Sequence, residues 1–145
     1  MEKVRVGVVG LGWFGEKHVR VLSQLPNVEL VAVCSRSAGR AREVARRYGA
    51  KKTYTDWNKL VLDPEIDAVT VTTHLPDHRE PVVAAADAGK DVFVEKPIAG
   101  TLKGDYVREG ADDPWAGSPF AWIRTRPSRQ GGKSGEQLVA GWSAA

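Results

Sequence analysis

Short apolar runs alternate with amphipathic segments along the first hundred residues. The run Val4–Val9 ends at Gly10, and a near-continuous apolar run of this kind is typical of a strand buried on both faces. Over residues 14–25 the apolar positions approximate helical spacing, and a Pro-Asn pair ends that helix. Val28–Cys34 is a second apolar run. The pattern therefore begins as strand, helix and strand.

Three more helices and three more strands are predicted between residues 37 and 95. Ser37 is placed to cap a helix that runs to Tyr48, and Gly49 fits its C-terminal stop. Further helices are predicted from Asp56 and over residues 77–88, and strands at Lys52–Tyr54, 67–72 and Asp91–Glu95. Because helical segments separate the strands, we expect parallel pairing. The predicted fold is an α/β, Rossmann-type doubly wound parallel sheet with a ligand crevice at the carboxyl ends of its strands.

The pattern changes near residue 102. Aliphatic residues become sparse there, while glycine, proline, arginine, serine and tryptophan accumulate. We therefore predict a folded domain over residues 1–102 and an irregular tail over residues 103–145, with a stray strand at 121–125. The change resembles out-of-frame translation of GC-rich DNA, so a frameshift near codon 102 or a truncation is one hypothesis. A natural, weakly structured tail is the alternative.

Composition and charge exclude several classes of protein. The 145 residues carry a net charge of +3 and one cysteine, Cys34, so no intrachain disulfide forms. No apolar run approaches the ~18 residues of a membrane span. No secretory signal is recognised, and the expected location is the cytoplasm. The basic residues between Arg40 and Lys52 spread around a predicted helix, which favours a solvated face over nucleic-acid binding.

The first junction between strand and helix is a glycine-rich loop. Gly10, Gly12 and Gly15 form the pattern G-x-G-x-x-G, with Trp13 and Phe14 between the last two. The first glycine permits a tight turn, the second lets a diphosphate approach the backbone, and the third lets the helix pack on the strand. The start of the helix attracts anions. We expect these five residues to bind a dinucleotide; a glycine-rich turn without a ligand is the alternative.

The end of the second strand carries the residues expected to select the cofactor. An Asp or Glu about 20 residues beyond the loop would bind the ribose 2′-hydroxyl of NAD. This chain has Ser35 and Arg36 there, and a hydroxyl with a guanidinium suits the 2′-phosphate of NADP. We expect a cofactor of NADP or NAD, with NADP favoured. The alternative is that Arg36 is a solvated loop residue.

Four segments in this order resemble the Gfo/Idh/MocA oxidoreductases. They are VRVGVVGLGWFGEKHVRVL, VELVAVCSRS, DPEIDAVTVTT and AGKDVFVEKPIAGTL, and the match that they mark out extends over about residues 3–102. The most specific element is the Glu-Lys-Pro motif that begins at Glu95. The resemblance implies hydride transfer between NAD(P) and a sugar, cyclitol or related carbonyl, with Lys96 near the nicotinamide and the substrate. A lysine ammonium in that position polarises a substrate oxygen or relays a proton.

The resemblance also implies cofactor contacts after the fourth and fifth strands. The family commonly has Thr-Pro after the fourth strand, and this chain has His74 in place of the proline. The residues expected to line the cofactor there are Thr72, Thr73, His74, Glu95 and Lys96. For His78 a cap or packing role and catalysis both stay open, and His18 is interpreted as structural or surface. No metal is expected, since no metal-ligand spacing occurs among the histidines and the cysteine.

The resemblance stops after residue 102, and this bounds the expected function. The family continues with a larger C-terminal domain that carries the substrate pocket and a catalytic His with an acidic partner. We expect that domain to be missing, which leaves catalysis by this chain undecided. The expected partners are a nicotinamide dinucleotide and, in a full-length form, a sugar or cyclitol, with no nucleic acid and no membrane. A non-catalytic dinucleotide-binding or subunit-interaction module is the alternative, and exposed apolar surface leaves a homo-oligomer open.

Overall fold

The computed structural model describes residues 2–74, 77–95, 120–123 and 139–140. These residues form helices on both sides of one sheet. The strands are β1 (Val4–Val9), β2 (Val28–Cys34), β3 (Lys52–Tyr54), β4 (Ala68–Val71), β5 (Asp91–Glu95), β6 (Phe120–Ile123) and β7 (Val139–Ala140). The helices are α1 (Trp13–Gln24), α2 (Ala38–Tyr48), α3 (Trp57–Val61) and α4 (Arg79–Asp87).

Local signals in the sequence set the ends of these helices. The Ser37 side chain accepts a hydrogen bond from the backbone N–H of Arg40 at the start of α2. Asp56 does the same for the N–H of Asn58 at the start of α3. Both side chains satisfy a donor that the helix itself leaves unpaired. Helix α2 ends at Gly49, whose φ of +80° lies in the left-handed region.

The strand order places a switch point in the middle of the sheet. The order is β3-β2-β1-β4-β5-β6-β7, and the pairs among β1 to β5 are parallel. From β1 the chain builds outward on one side through β2 and β3, and then on the other side through β4 and β5. The carboxyl ends of β1 and β4 therefore open a crevice, which is where ligands bind in sheets of this type.

The core lies in two layers, one on each face of the sheet. On one face Val8 of β1 and Val33 of β2 pack with Val19 of α1 and Val44 of α2. On the other face Leu60 of α3 and Val82 of α4 pack on the sheet, together with residues that include Val9, Val69, Val71, Val92 and Val94. Most of these side chains are fully buried. Burial on both faces agrees with the near-continuous apolar runs in the strands.

Ion pairs and hydrogen bonds close the amino end of the sheet. Arg5 at the start of β1 donates from Nε and from its terminal nitrogen to the carboxylate of Asp67, each at 2.9 Å. The buried Asp63 carboxylate accepts from Lys52 Nζ and Tyr54 Oη, both at 2.8 Å. Lys90 is also buried, and its ammonium donates to the backbone carbonyls of residues 63 and 66 at 2.7 and 2.6 Å.

The predicted α/β doubly wound sheet is confirmed, with small shifts at element ends. Helix α4, which connects β4 and β5, begins at Arg79 rather than at residue 77, because residues 77 and 78 form a turn that precedes it. In the tail, a strand predicted at 121–125 is observed as β6, which pairs antiparallel with β5, and β7 pairs antiparallel with β6. Lys96 lies outside the described residues, as does the tail apart from β6 and β7. The division at residue 102 stays a prediction.

Candidate functional site

A cleft of about 750 Å³ opens at the carboxyl ends of β1, β2 and β4. Its volume falls within the range of small-molecule pockets. The glycine-rich loop, the loop after β2 and the segment after β4 supply its walls. From the predicted site residues, the lining includes Gly10, Gly12, Ser35, Arg36, Thr72, Thr73 and His74. The topology thus brings together three segments that are far apart in sequence.

The three glycines of the loop differ in what a side chain would meet. Gly10 has a φ of +98°, and a Cβ there would lie 2.7 Å from the backbone of Thr72. A Cβ at Gly15 would lie 2.0 Å from the carbonyl oxygen of Gly10. In the part of the chain that the structure describes, a Cβ at Gly12 would meet no atom within 4 Å other than those of its chain neighbours. The fold therefore requires the first and third glycines, whereas the space above Gly12 is open to the cleft.

The start of α1 is suited to an anion. The first N–H groups of any α-helix have no intrahelical acceptor. The N-cap of α1 is Gly12, which has no side chain to accept a hydrogen bond from them. Backbone donors and the helix dipole together favour a phosphate at such a position. Trp13 and Phe14 are not among the residues that line the cleft. The indole of Trp13 is 73% exposed, and Lys17 Nζ lies 3.8 Å above its ring.

The loop after β2 presents polar groups to the cleft. Arg36 is exposed, and its guanidinium makes no hydrogen bond or ion pair with the residues that the structure describes. The hydroxyl of Ser35 accepts a hydrogen bond of 3.2 Å from the N–H of Ser37. The loop thus holds its own backbone in place and leaves a guanidinium at the rim of the cleft.

The segment after β4 is fixed by its own hydrogen bonds. Thr72 Oγ1 donates to the carbonyl of Gly10 at 2.8 Å, which joins this segment to the glycine-rich loop. The ring of His78 is buried at the N-cap of α4, and its Nε2 contacts the carbonyl oxygen of Thr73. His74 accepts a backbone hydrogen bond of 2.7 Å from Asp77. These contacts favour the packing interpretation of His78.

The remaining predicted site residues lie at or beyond the end of β5. Burial raises the pKa of the Glu95 carboxyl, and the nearby His78 and His74 oppose that shift. Lys96, proposed from the resemblance as the catalytic residue, lies outside the described part of the chain. His18 is half-buried on α1, with its ring 4.8 Å from that of Phe14 and 5.6 Å from that of Phe93. Burial lowers the pKa of His18 to about 4, which favours its structural interpretation.

Several cleft residues carry no signal that the sequence analysis recognised. Trp57 and Thr55 line the cleft from the start of α3, and Arg79 and Pro81 line it from α4. Trp57 reads in sequence as an apolar position of a short helix, which indicates a core residue rather than a wall. The approach of α3 to β2 could not be derived from periodicity alone, because it depends on the path of the chain between β3 and β4.

Two arginines of α2 make contacts that the sequence pattern did not predict. Arg40 and Arg47 were expected on a solvated face; Arg47 is exposed as expected and Arg40 is partly buried, and both bind the carboxylate of Glu16 on α1. An i,i+4 pair of Glu43 and Arg47 is visible in the sequence, whereas a pair between two helices is not. Cys34 is buried at the cleft, and burial raises the pKa of its thiol to about 11, which agrees with its interpretation as a buried strand residue.

Neither a metal-ligand cluster nor a membrane-spanning helix is found among the described residues. Across residues 2–74 and 77–95 no group of three or more His, Cys, Asp or Glu residues could hold a metal ion. In the same part of the chain no helix is both long enough and apolar enough to cross a membrane.

Comparison with known proteins places this geometry in a family. The family model described as an oxidoreductase family with an NAD-binding Rossmann fold matches residues 4–104. The chain is 42% identical over 102 residues to an inositol 2-dehydrogenase of Acidothermus cellulolyticus, a match that covers 70% of this chain and 30% of that protein. It is also 42% identical over 96 residues to a 4-carboxy-2-hydroxymuconate-6-semialdehyde dehydrogenase of Sphingobium sp., covering 66% and 30%.

Solved structures give the same result. The myo-inositol dehydrogenase of Lactobacillus casei in complex with NAD(H) and myo-inositol has a TM-score of 0.67 at 38% identity, and the match covers 70% of this chain and 31% of that one. The scyllo-inositol dehydrogenase of the same organism with NAD(H) and scyllo-inositol has a TM-score of 0.68 at 27% identity, covering 71% and 31%. The chain therefore spans about 30% of the length of the curated relatives that it matches.

Proposed function

The chain belongs to the Gfo/Idh/MocA oxidoreductase family through its NAD-binding Rossmann domain, and from that premise we propose that its cleft binds a nicotinamide dinucleotide. The diphosphate lies against Gly10, Gly12 and the first turn of α1, where Trp13, Phe14 and Gly15 supply backbone rather than side chain. The adenosine ribose lies beside Ser35 and Arg36. The nicotinamide half extends past Thr72, Thr73 and His74 toward Glu95 and Lys96.

The observation that carries this proposal is the open space above Gly12. Apart from its chain neighbours, a methyl group there would meet no atom of the described residues within 4 Å, although Gly12 lies between two glycines whose Cβ positions are blocked. The backbone of Gly12 is extended, with φ of −68° and ψ of −173°, and any residue adopts that conformation. The fold itself therefore gives no reason for a glycine at this position. A ligand that approaches the backbone closely does.

When bound, the dinucleotide supplies a hydride acceptor or donor for a carbonyl or hydroxyl substrate. The chain's own residues bind and orient it: loop amides hold the diphosphate, and the hydrogen bond from Thr72 to Gly10 fixes the loop against β4. We propose Lys96 as the residue that polarises a substrate oxygen or relays a proton. The substrate of a longer form is proposed to be a sugar or cyclitol, since relatives are named inositol dehydrogenases.

The test of dinucleotide binding is calorimetric titration of the purified chain with NAD and with NADP. Gly12→Ala is expected to keep its unfolding temperature within a degree or two and to lose about tenfold or more in affinity for both, because the added methyl group occupies the diphosphate position. Gly39→Ala is the matched control, since its Cβ would lie at an ordinary 3.9 Å from Ser37 Oγ and Gly39 does not line the cleft.

Two outcomes would contradict the proposal. Wild-type protein that folds cooperatively and binds neither dinucleotide would exclude a nicotinamide site in this cleft. Gly12→Ala protein that binds as tightly as the wild type would show that the ligand does not approach the loop backbone. If Gly39→Ala lost as much dinucleotide affinity as Gly12→Ala, the effect would not be specific to the space above Gly12.

We further propose that the cleft favours NADP over NAD. The support is that no carboxylate occupies the position expected to bind the 2′-hydroxyl, and that the Arg36 guanidinium at the rim has no partner in the described chain. Arg36→Ala should lower affinity for NADP about tenfold and leave NAD unchanged, because a hydrogen bond to a charged group is lost. Equal affinities for NADP and NAD in the wild type, or equal losses for both cofactors in Arg36→Ala, would remove the assignment.

A second candidate function is a non-catalytic dinucleotide-binding or subunit-interaction module. It requires only the NAD-binding Rossmann fold, which is the region that the family model matches. A substrate-dependent change in absorbance at the reduced-nicotinamide band with myo-inositol and either cofactor would exclude it. Cofactor binding without that change would support it. The cytoplasmic location and a homo-oligomeric state stay predictions.

A further inference from the structure

Arg40 of α2 makes a contact with the glycine-rich loop that its position on a helix does not require. Its Nε donates a 3.1 Å hydrogen bond to the carbonyl oxygen of Leu11, the residue between the first two glycines. Its two terminal nitrogens bind the carboxylates of Glu16 and, at 3.3 Å, Glu43. The guanidinium is therefore fixed at three points, one of which is backbone of the loop.

Glu16 holds Arg40 in this orientation. It follows directly after Gly15 in the first turn of α1, and its carboxylate also accepts from Arg47 at 2.7 Å and from Tyr48 Oη at 3.0 Å. The hydrogen bond from Arg40 is the main reason that the pKa of Glu16 lies below its usual range, while partial burial opposes the shift. The carboxylate is about one-fifth exposed, so this cluster is partly shielded from solvent.

The contact with Leu11 sets the direction of the next peptide N–H. In a planar trans peptide the C=O of residue 11 and the N–H of Gly12 point in opposite directions. The Leu11 side chain is buried in the core, so the peptide is anchored on its N-terminal side as well. A donor that holds the Leu11 carbonyl toward α2 therefore turns the Gly12 N–H away from α2.

We propose that Arg40, fixed by Glu16, is a positioning residue that orients the Leu11–Gly12 peptide so that its N–H faces the ligand's diphosphate. We name the pair the Glu16–Arg40 latch. This inference rests on the proposed dinucleotide site. It assigns Arg40 to the diphosphate that NAD and NADP share, whereas Arg36 acts on the 2′-phosphate of NADP alone.

The test compares ligands with and without a diphosphate at a temperature well below the unfolding transition. NAD, NADP and ADP carry the group, and adenosine lacks it. Arg40→Ala should lose about tenfold in affinity for the first three and keep its affinity for adenosine, because the loop amide is no longer held. Arg47→Ala is the matched control: it removes an arginine bound to the same two carboxylates, and in the described structure Arg47 makes no hydrogen bond to the loop carbonyl.

Glu16→Gln separates positioning from direct contact. If Arg40 positions the loop, the loss of its carboxylate partner should weaken ADP binding several-fold. If Arg40 instead binds the phosphate itself, release from Glu16 should strengthen ADP binding, and that result would overturn the proposal. An unchanged affinity of Arg40→Ala for ADP, an equal loss for adenosine, or an equal loss in Arg47→Ala would also overturn it. Wild-type protein that binds no dinucleotide would instead contradict the proposed function.

Discussion

The two ends of the sheet use polar side chains in opposite ways. At the amino end, Asp63 lies beneath Lys52 and Tyr54, and Arg5 is paired with Asp67 through two nitrogens. At the carboxyl end, Arg36 extends at the rim of a cleft without a partner in the described chain. The named charges at the first end are paired within the fold. At the second end Glu16 and Arg40 are paired in the same way, whereas the Arg36 guanidinium has no partner among the described residues.

The carboxylates show the same contrast in their pKa values. Burial tends to raise the pKa of Asp63, but hydrogen bonds from Lys52, the backbone N–H of Glu65 and Tyr54 outweigh it and lower the pKa to about 2. At the other end burial dominates and the pKa of Glu95 rises. A carboxylate with several donors stabilises the fold in its charged form. A carboxylate that is desolvated and has few donors to offset the effect has a raised pKa, which is typical of functional sites.

The largest expected effect concerns the glycine-rich loop. Gly15 lies at the carboxyl end of the sheet, where we propose that the ligand binds, but the fold itself requires this glycine. Gly15→Ala would place a Cβ 2.0 Å from the Gly10 carbonyl oxygen and 2.8 Å from Thr72 Oγ1. Both are held by the β1–β4 junction, so neither moves freely. We expect a loss of about 3 kcal/mol in the free energy of unfolding, measured by urea denaturation. Stability equal to that of Gly12→Ala would show that the two glycines are equivalent.

The second test is at the amino end. Asp63→Asn should lower the free energy of unfolding by about 2 kcal/mol, because Lys52 and Tyr54 lose the charged acceptor that the buried carboxylate gives them. Dinucleotide affinity should not change well below the transition. Glu65→Gln is the matched control, since Glu65 binds the same Lys52 at 2.7 Å but is 60% exposed, and its loss should cost under about 0.5 kcal/mol. A weaker dinucleotide affinity in Asp63→Asn would show that the amino end of the sheet also affects ligand binding at the carboxyl end.

Much of this arrangement could be predicted from the sequence, and the reason is local. Val28–Cys34 and Asp91–Glu95 were predicted with the observed bounds, since short apolar runs between turn residues indicate a strand. Lys52–Tyr54 also has the predicted bounds, although it is not an apolar run. The helix caps at Ser37 and Asp56 were predicted because each cap side chain accepts a hydrogen bond from a backbone N–H only two or three residues further along the chain. The three glycine roles follow from the loop's place between a strand and a helix.

What the sequence did not predict depends on contacts between distant elements. Glu16 and Arg40 are 24 residues apart, and no spacing rule joins side chains on two helices. The donors to Asp63 come from β3, and Trp57 reaches the cleft only through the path of α3. Gly7 is a further case: its Cβ would lie 2.8 Å from Leu60 and 2.9 Å from Ile66, which no motif indicates. Such packing is decided by the whole fold.

A third and smaller test concerns the link between the two strands that form the crevice. Thr72→Val replaces a buried hydroxyl by a methyl group of similar size and removes the 2.8 Å hydrogen bond to the Gly10 carbonyl. We expect a loss of about 1 kcal/mol in the free energy of unfolding. Affinity for NADP should fall several-fold, as the loop is less firmly held. Thr73→Val is the control for the stability measurement alone, because Thr73 lines the cleft but its Oγ1 donates outside the loop, to the carbonyl of Asp77 at 3.2 Å.

The smallest expected effect is the opposite response of the two carboxylates to acid. Asp63 has a folded pKa of about 2, below its ordinary 3.8, so its contribution to stability is complete above pH 4 and is lost as pH falls toward 2. Glu95 has a raised folded pKa, so its contribution increases as pH falls through that value. Glu95→Gln should therefore stabilise the protein slightly at neutral pH, by under about 1 kcal/mol after discounting its partial exposure.

Carboxyl chemical shifts followed against pH measure both groups directly. Titration of Glu95 below its ordinary pKa of 4.5 would show that it is held by donors as Asp63 is, and the contrast between the two ends would fail.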